Sequence, residues 1–184
     1  MSGPPDDPDD ICSIFRERHA WYRSASAASE RWGIPESVQL AIIHQESRFR
    51  ARARPPRRSF LWVLPGPRPS TAYGYGQVVD ATWSRYQQDA GRPRASRDDF
   101  ADVTDFIGWY ADGIERRTGL DKRDARELYA AYHEGPGGYA RGSHRAKPWL
   151  SGVSTRVASR AVRYQAQLDG CRETLVRKRF LGIF

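Results

Sequence analysis

The stretch "ESVQLAIIHQES", residues 36–47, constrains the fold of this chain more than any other part. It follows Pro35, and a proline with an acid in the first turn is a start signal for a helix. On that helix Val38, Ile42 and Glu46 fall at i, i+4 and i+8, with Gln39 and Ile43 flanking the same stripe. Leu40 and Ala41 make the opposite side apolar too. A helix that is apolar all round is a buried one. The spacing therefore predicts a central helix, with Glu46 projecting near its end, into or beside the core.

The rest of the chain is patterned for helices that can surround such an element. Trp21, Ala25, Ala28 and Trp32 recur at helical spacing, and Gly33 stops that segment. Asp80 is placed to cap a helix carrying Trp83, Tyr86 and Gln87, which Gly91 ends. Ser96 and Asp99 read as a capping box before Phe100, Val103, Ile107, Tyr110 and Ile114. Asp121 is placed to cap a helix with Ala125, Leu128, Tyr129 and Tyr132 on one face, and "GPGG", residues 135–138, reads as its terminator. Leu150, Val153, Val157, Ala161, Tyr164 and Leu168 line a long last helix predicted to end at Gly170. The exception is residues 50–76, where five prolines and a Pro-Gly turn exclude helix and "SFLWVL", residues 59–64, reads as a short strand. A non-helical segment of that length inside a compact domain is usually functional, and its aromatic residues argue against disorder.

At 184 residues with no internal repeat, one domain is expected. Its predicted boundaries are a loose Pro/Asp-rich segment at 1–9, a folded domain at 10–171 and a C-terminal tail at 172–184. Cys12 and Cys171 lie near the two ends of that domain. Paired, they would close a loop of roughly 160 residues, contributing up to about 5 kcal/mol in the chain-entropy picture, and would point to an oxidising compartment. Two unpaired thiols are the alternative. No apolar run is long enough to cross a bilayer. The opening "MSGPPDDPDDIC" lacks the basic leader and apolar stretch of a signal peptide, which taken literally leaves the chain in the cytoplasm, although a mature form or a mis-assigned start codon would read the same.

The formal net charge is +8, and almost all the cations are arginine. An anionic partner is one reading, and a general bias toward Arg, Ala, Gly and Pro is the other. The cations are scattered along the chain, which argues against a nucleic-acid stripe. His19, His44, His133 and His144 show no zinc-site spacing, so no metal and no cofactor are expected.

Glu46 then carries the chemical question. Burial and the C-terminal end of a helix dipole both disfavour an anion, and both raise a carboxyl pKa. A carboxylic acid that keeps its proton near neutral pH suits a general acid. The alternative is a structural ion pair with Arg48, Arg50 or Arg52.

Three motifs bear on that choice. "HQESRF" resembles the Glu-Ser signature of soluble lytic transglycosylases, within the goose-type lysozyme superfamily. "AYGYGQVVDATW", residues 72–83, resembles that family's second motif, and "AAYHEGPGGYARG", residues 130–142, its third. They occur in the family's order and span about residues 30 to 145. The Arg-rich aromatic loop and "GGYARGSHRAKPWL" are similar to an envelope-associated, often lipoprotein, branch.

The resemblance implies a mainly α, single lysozyme-like domain with a small β or extended excursion around residues 50–76. It implies cleavage of the β-1,4 bond between N-acetylmuramic acid and N-acetylglucosamine in peptidoglycan, with ring closure to a 1,6-anhydro product. Glu46 matches the catalytic acid. Ser47 matches the following serine, expected to hold local backbone. Gln77 matches the groove glutamine, with a helix-start side chain bonded to backbone as its alternative. Gly74 and Gly76 would admit close approach or positive φ. Tyr132 matches a tyrosine whose hydroxyl would face the acid, or else it is a core aromatic. Tyr73, Tyr75 and Tyr139 would stack on sugars or simply pack. His133 and Glu134 depart from the family's Asn and Ala. Glu134 is either a second carboxylate near the cleft or a solvated helix-end residue.

The expected partner is peptidoglycan and not nucleic acid. The expected state is a monomer in the periplasm or outer envelope, with a lipid anchor outside this sequence left open. A hydrolytic muramidase using Glu46 with Glu134, and a non-catalytic Arg-rich binder of glycan or nucleic acid, are the rival functions.

Overall fold

A computed structural model describes residues 3–56, 59–60, 64–65 and 70–181, the last five of these and the four residues at 59–60 and 64–65 as backbone alone. Seven α-helices account for most of it: α1 (Ile11–Glu17), α2 (His19–Trp32), α3 (Glu36–Ser47), α4 (Asp80–Asp89), α5 (Phe100–Thr118), α6 (Ala125–Ala140) and α7 (Pro148–Leu181). Between α3 and α4 lie two short strands, β1 (Ser59–Phe60) and β2 (Leu64–Pro65), paired antiparallel with Phe60 opposite Leu64. The sequence "SFLWVL" thus contributes the ends of a small hairpin, and residues 61–63 lie outside the described residues.

The central element is α3. Every residue from Glu36 to His44 is buried, as the all-round apolar pattern demands. It packs along α7, while α2 lies against α5, and α6 bridges α5 and α7. Most polar groups inside this packing are partnered, with Gln39 Oε1 and Ser154 Oγ as exceptions, since an unpaired buried polar group costs about 1–3 kcal/mol. The Glu36 carboxylate accepts from Arg172 at 2.9 and 3.2 Å and from Ser26 at 3.2 Å. Gln39 donates to the carbonyls of Ala25 and Ile34, both at 3.0 Å. Asp105 joins three helices, accepting from Trp32 Nε1 at 2.9 Å, Tyr86 Oη at 2.7 Å and Arg92 at 3.0 Å.

Cys12 and Cys171 form a disulfide, which fastens α1 to α7. Several boundaries differ from the sequence expectation. Residues 11–17 form a helix that the patterning did not reveal, capped by the Asp10 side chain. The segment before it is tied down rather than loose: Arg160 pairs with Asp9, and Tyr164 Oη donates to the Pro8 carbonyl. Val79, not Asp80, occupies the cap of α4, and the Asp80 carboxylate pairs with Arg97 at 2.7 Å. Asp99 alone caps α5, because its carboxylate accepts from Asp102 N. Asp124, not Asp121, caps α6, taking the amides of Arg126 and Glu127.

Two predicted stops are also absent. At "GPGG" the chain kinks, with Gly135 at φ 74° and ψ 154°, and then resumes helical form to Ala140. Pro136 follows the kink immediately, where a residue without an N–H starts a new helical turn at no loss. The last helix passes through Gly170 and runs to Leu181, so residues 172–181 continue α7 instead of forming a separate tail. Leu175, packed in the core, gives that extension a reason to remain helical.

Candidate active site

Glu46 is the penultimate residue of α3, and it opens on a groove of about 560 Å³. The chain leaves α3 through two consecutive residues with left-handed backbone, Arg48 at φ 50° and Phe49 at φ 59°. Phe49 is fully buried and stacks on Trp21 at 5.8 Å, which fixes where the helix stops and hence where Glu46 lies. Ser47 stabilises this end, donating to the Ile43 carbonyl at 3.1 Å while its own carbonyl accepts from Arg50 Nε at 3.1 Å.

The groove wall facing Glu46 comes from α5 and α6. Phe106 stacks on Tyr110 at 5.5 Å, and Tyr110 meets Tyr132 edge-on at 5.5 Å. These rings strip water from the carboxyl, and burial pushes its pKa up to about 7. One contact works the other way: Tyr129 Oη donates to Glu46 Oε1 at 2.8 Å, which favours the ionised form. Among the described residues no cation pairs with Glu46. Arg50 is committed to the Ser47 carbonyl, and Arg52 lies 3.6 Å from Asp98. The ion-pair alternative is therefore not what these residues form.

Tyr132 lines the groove, but its hydroxyl does not bond to the acid. It donates to the Gly76 carbonyl at 2.8 Å, and Tyr129, one turn earlier on the same face of α6, takes the place expected for it. That i, i+3 relation was present in the sequence, yet nothing there distinguished which tyrosine would reach Glu46.

Gln77 lines the opposite wall with Val78 and Val79. Its backbone is left-handed at φ 49°, and both its amide hydrogens are spent on the carbonyls of Ala53 at 2.9 Å and Gly74 at 3.0 Å. Only its side-chain oxygen remains to accept from a ligand. The glycines of this loop serve the protein's own packing, not the ligand's approach. A Cβ on Gly74, at φ 82°, would lie 1.9 Å from the Arg97 carbonyl oxygen, and one on Gly76 would lie 2.9 Å from Tyr132 Oη. Arg97, which sequence reasoning missed, pins this loop by donating to the Val78 carbonyl at 2.7 Å and the Thr71 carbonyl at 3.2 Å.

The remaining tyrosines lie outside the groove lining. Tyr75 is a core residue, edge-on to Trp21 at 5.6 Å and Phe100 at 5.5 Å. Tyr73 donates to Asp98 at 3.0 Å beneath the Arg54 guanidinium. Tyr139 donates to Glu127 at 2.6 Å and stacks on His144 at 4.3 Å.

His133 and Glu134 do line the groove. Glu134 is not solvated. Lys147 Nζ lies 2.7 Å from its Oε1, His133 Nδ1 lies 3.0 Å from the same atom, and Ser143 donates to Oε2. The Lys147 contact, then Ser143, hold its pKa down at about 2. Two groove carboxyls thus sit in opposite environments, one water-poor and poised between its protonated and ionised forms near neutral pH, one ionised and fully bonded.

A helical domain whose innermost helix delivers one acid to a groove has the arrangement of the lysozyme-like class. The chain matches the family of the transglycosylase SLT domain over residues 1–171, and it belongs to that family. The family is one of glycosidic-bond-cleaving enzymes in the lysozyme-like superfamily. Among curated proteins no relative matches the chain. No described helix is long and apolar enough to cross a membrane.

Proposed function

We propose that this protein is a peptidoglycan lytic transglycosylase acting in the bacterial periplasm or outer envelope. Glu46 protonates the glycosidic oxygen as the C1–O4 bond between N-acetylmuramic acid and N-acetylglucosamine breaks. The resulting carboxylate takes the proton of the muramic acid C6 hydroxyl, whose oxygen closes on C1. The products are a free 4-hydroxyl and a 1,6-anhydro end, and Glu46 recovers its proton. One group acts as acid and then base, so a pKa near the working pH serves both steps.

The observation that carries this reading is an acid at the end of the central helix, lining a groove, with no ion-pair partner among the described residues and a single tyrosine hydroxyl on it, so that burial pushes its pKa up to about 7. The hydrolytic alternative needs Glu134 to activate water, but both its oxygens are already engaged. Tyr129 steadies Glu46, Gln77 offers its oxygen to the glycan, and Ser47 fixes the helix end. His133, which lines the groove, hydrogen-bonds the sugar. The net charge of +8 favours the acidic wall polymer through weak, salt-screened attraction.

The test is digestion of purified peptidoglycan by wild type and Glu46→Gln, with products weighed by mass spectrometry. Anhydro-muropeptides lighter by one water, absent with Glu46→Gln, are expected. Hydrated ends would establish the muramidase instead. Unaltered glycan with both proteins would leave only the binding function.

A further inference from the structure

Trp149, the second residue of α7, is 56% exposed, an unusual place for the largest apolar ring. Its ring meets His133 edge-on at 5.1 Å, and His133 lines the groove that holds Glu46. Trp149 therefore stands where the groove would continue past His133.

The mount beneath it is rigid. Glu134 grips the connecting segment at two points, through Ser143 and through Lys147 at 2.7 Å. The Lys147 carbonyl accepts from Leu150 N at 2.9 Å, and the Leu150 side chain is buried. The backbone on either side of Trp149 is thus anchored, its ring rests against His133, and more than half of the residue stays exposed. A large aromatic held in place in solvent gains nothing for folding, but it saves a ligand the entropy of ordering it. The partner that fits is a pyranose ring. Its axial C–H bonds form an apolar, positively polarised face, which complements the negative face of an aromatic ring.

We propose that Trp149 is a sugar-stacking platform that extends the glycan path beyond the groove, with Glu134 as the positioning residue that holds it there. The inference rests on the glycan reading of the groove. It makes affinity depend on chain length: an oligosaccharide long enough to pass His133 gains the stack, and a short one does not.

The test uses the full chain carrying Glu46→Gln, so that sugars bind without turnover. Affinities for chitotriose and chitohexaose are measured by calorimetry, with and without Trp149→Ala or Trp149→Phe. The hexamer-to-trimer advantage should fall about tenfold in Trp149→Ala, the size of one ring stack, and be largely kept in Trp149→Phe. The indole N–H resonance absent from the Trp149→Phe spectrum should shift with the hexamer in the parent protein, a readout that does not require Trp149→Ala to fold. An unchanged ratio, or a resonance that ignores the hexamer, overturns the platform while leaving the glycan reading intact. Failure of both sugars to bind, together with failure to cleave peptidoglycan, overturns both.

Discussion

Tyr129 Oη lies 2.8 Å from Glu46 Oε1, joining the kinked helix α6 to the end of the central helix α3. The bond opposes burial: burial raises the Glu46 pKa to about 7, and this hydrogen bond lowers it. Tyr129→Phe should therefore move the Glu46 pKa upward. Since the proposed first step uses the protonated acid, the alkaline limb of the kcat/KM profile should shift to higher pH by about half a unit to one unit. Turnover rates of wild type and Tyr129→Phe on peptidoglycan across pH 5–9 check this, and an unmoved limb would separate Tyr129 from the acid.

Glu46→Gln should lower cleavage about a thousandfold, the scale of a lost general acid. It should also reveal what the acid costs the fold. The folded pKa lies above the ordinary value of 4.5, so the unfolded chain releases its proton first. Stability is then lost as pH rises from 4.5 toward 7 and stays lost above that. Urea denaturation should find Glu46→Gln more stable than wild type at pH 8, by roughly 1–2 kcal/mol, with the gap closing at pH 4.

For Glu134 the sign reverses. Its folded pKa of about 2 lies below the ordinary 4.5, so its contribution is present above 4.5 and lost as pH falls toward 2. Glu134→Ala should cost about 2 kcal/mol at pH 7, by stranding Lys147 and Ser143, and much less at pH 2. The anhydro character of any product should not change, because Glu134 is not assigned to the chemistry. Hydrated products from wild type that vanish in Glu134→Ala would refute that assignment.

Gly74 and Gly91 make a matched pair. Both have positive φ, 82° and 65°, but a Cβ at Gly91 meets nothing within 4 Å, whereas at Gly74 it meets the Arg97 carbonyl. Gly91→Ala should cost about 1 kcal/mol from backbone strain alone. Gly74→Ala should cost about 3 kcal/mol and displace Gln77, weakening glycan binding as well. Thermal denaturation and calorimetry of the two variants read both effects.

How legible the sequence was can be argued from these residues. The burial of α3 followed from its pattern, because Leu40 and Ala41 left no polar face to turn to water. The position of Glu46 at its end followed from the same pattern. The pairing of Cys12 with Cys171 was among the open readings, and it is the one the fold takes. The loose N-terminus, the Asp121 cap and the stop at Gly170 failed for one reason: each was inferred from local propensity, and contacts with α7 or a neighbouring cap outweighed it. Tyr75 and Tyr139 show the same limit, since a tyrosine reads alike whether it packs on Trp21 or faces a groove.

Local spacing determined which helix is innermost and which acid it carries, because period and polarity are written along the chain. It could not determine which hydroxyl reaches that acid, whether Glu134 is free or clamped, or that Trp149 stands beside His133. Those depend on distances between residues as far apart as 46 and 129, and such distances exist only once the helices have packed.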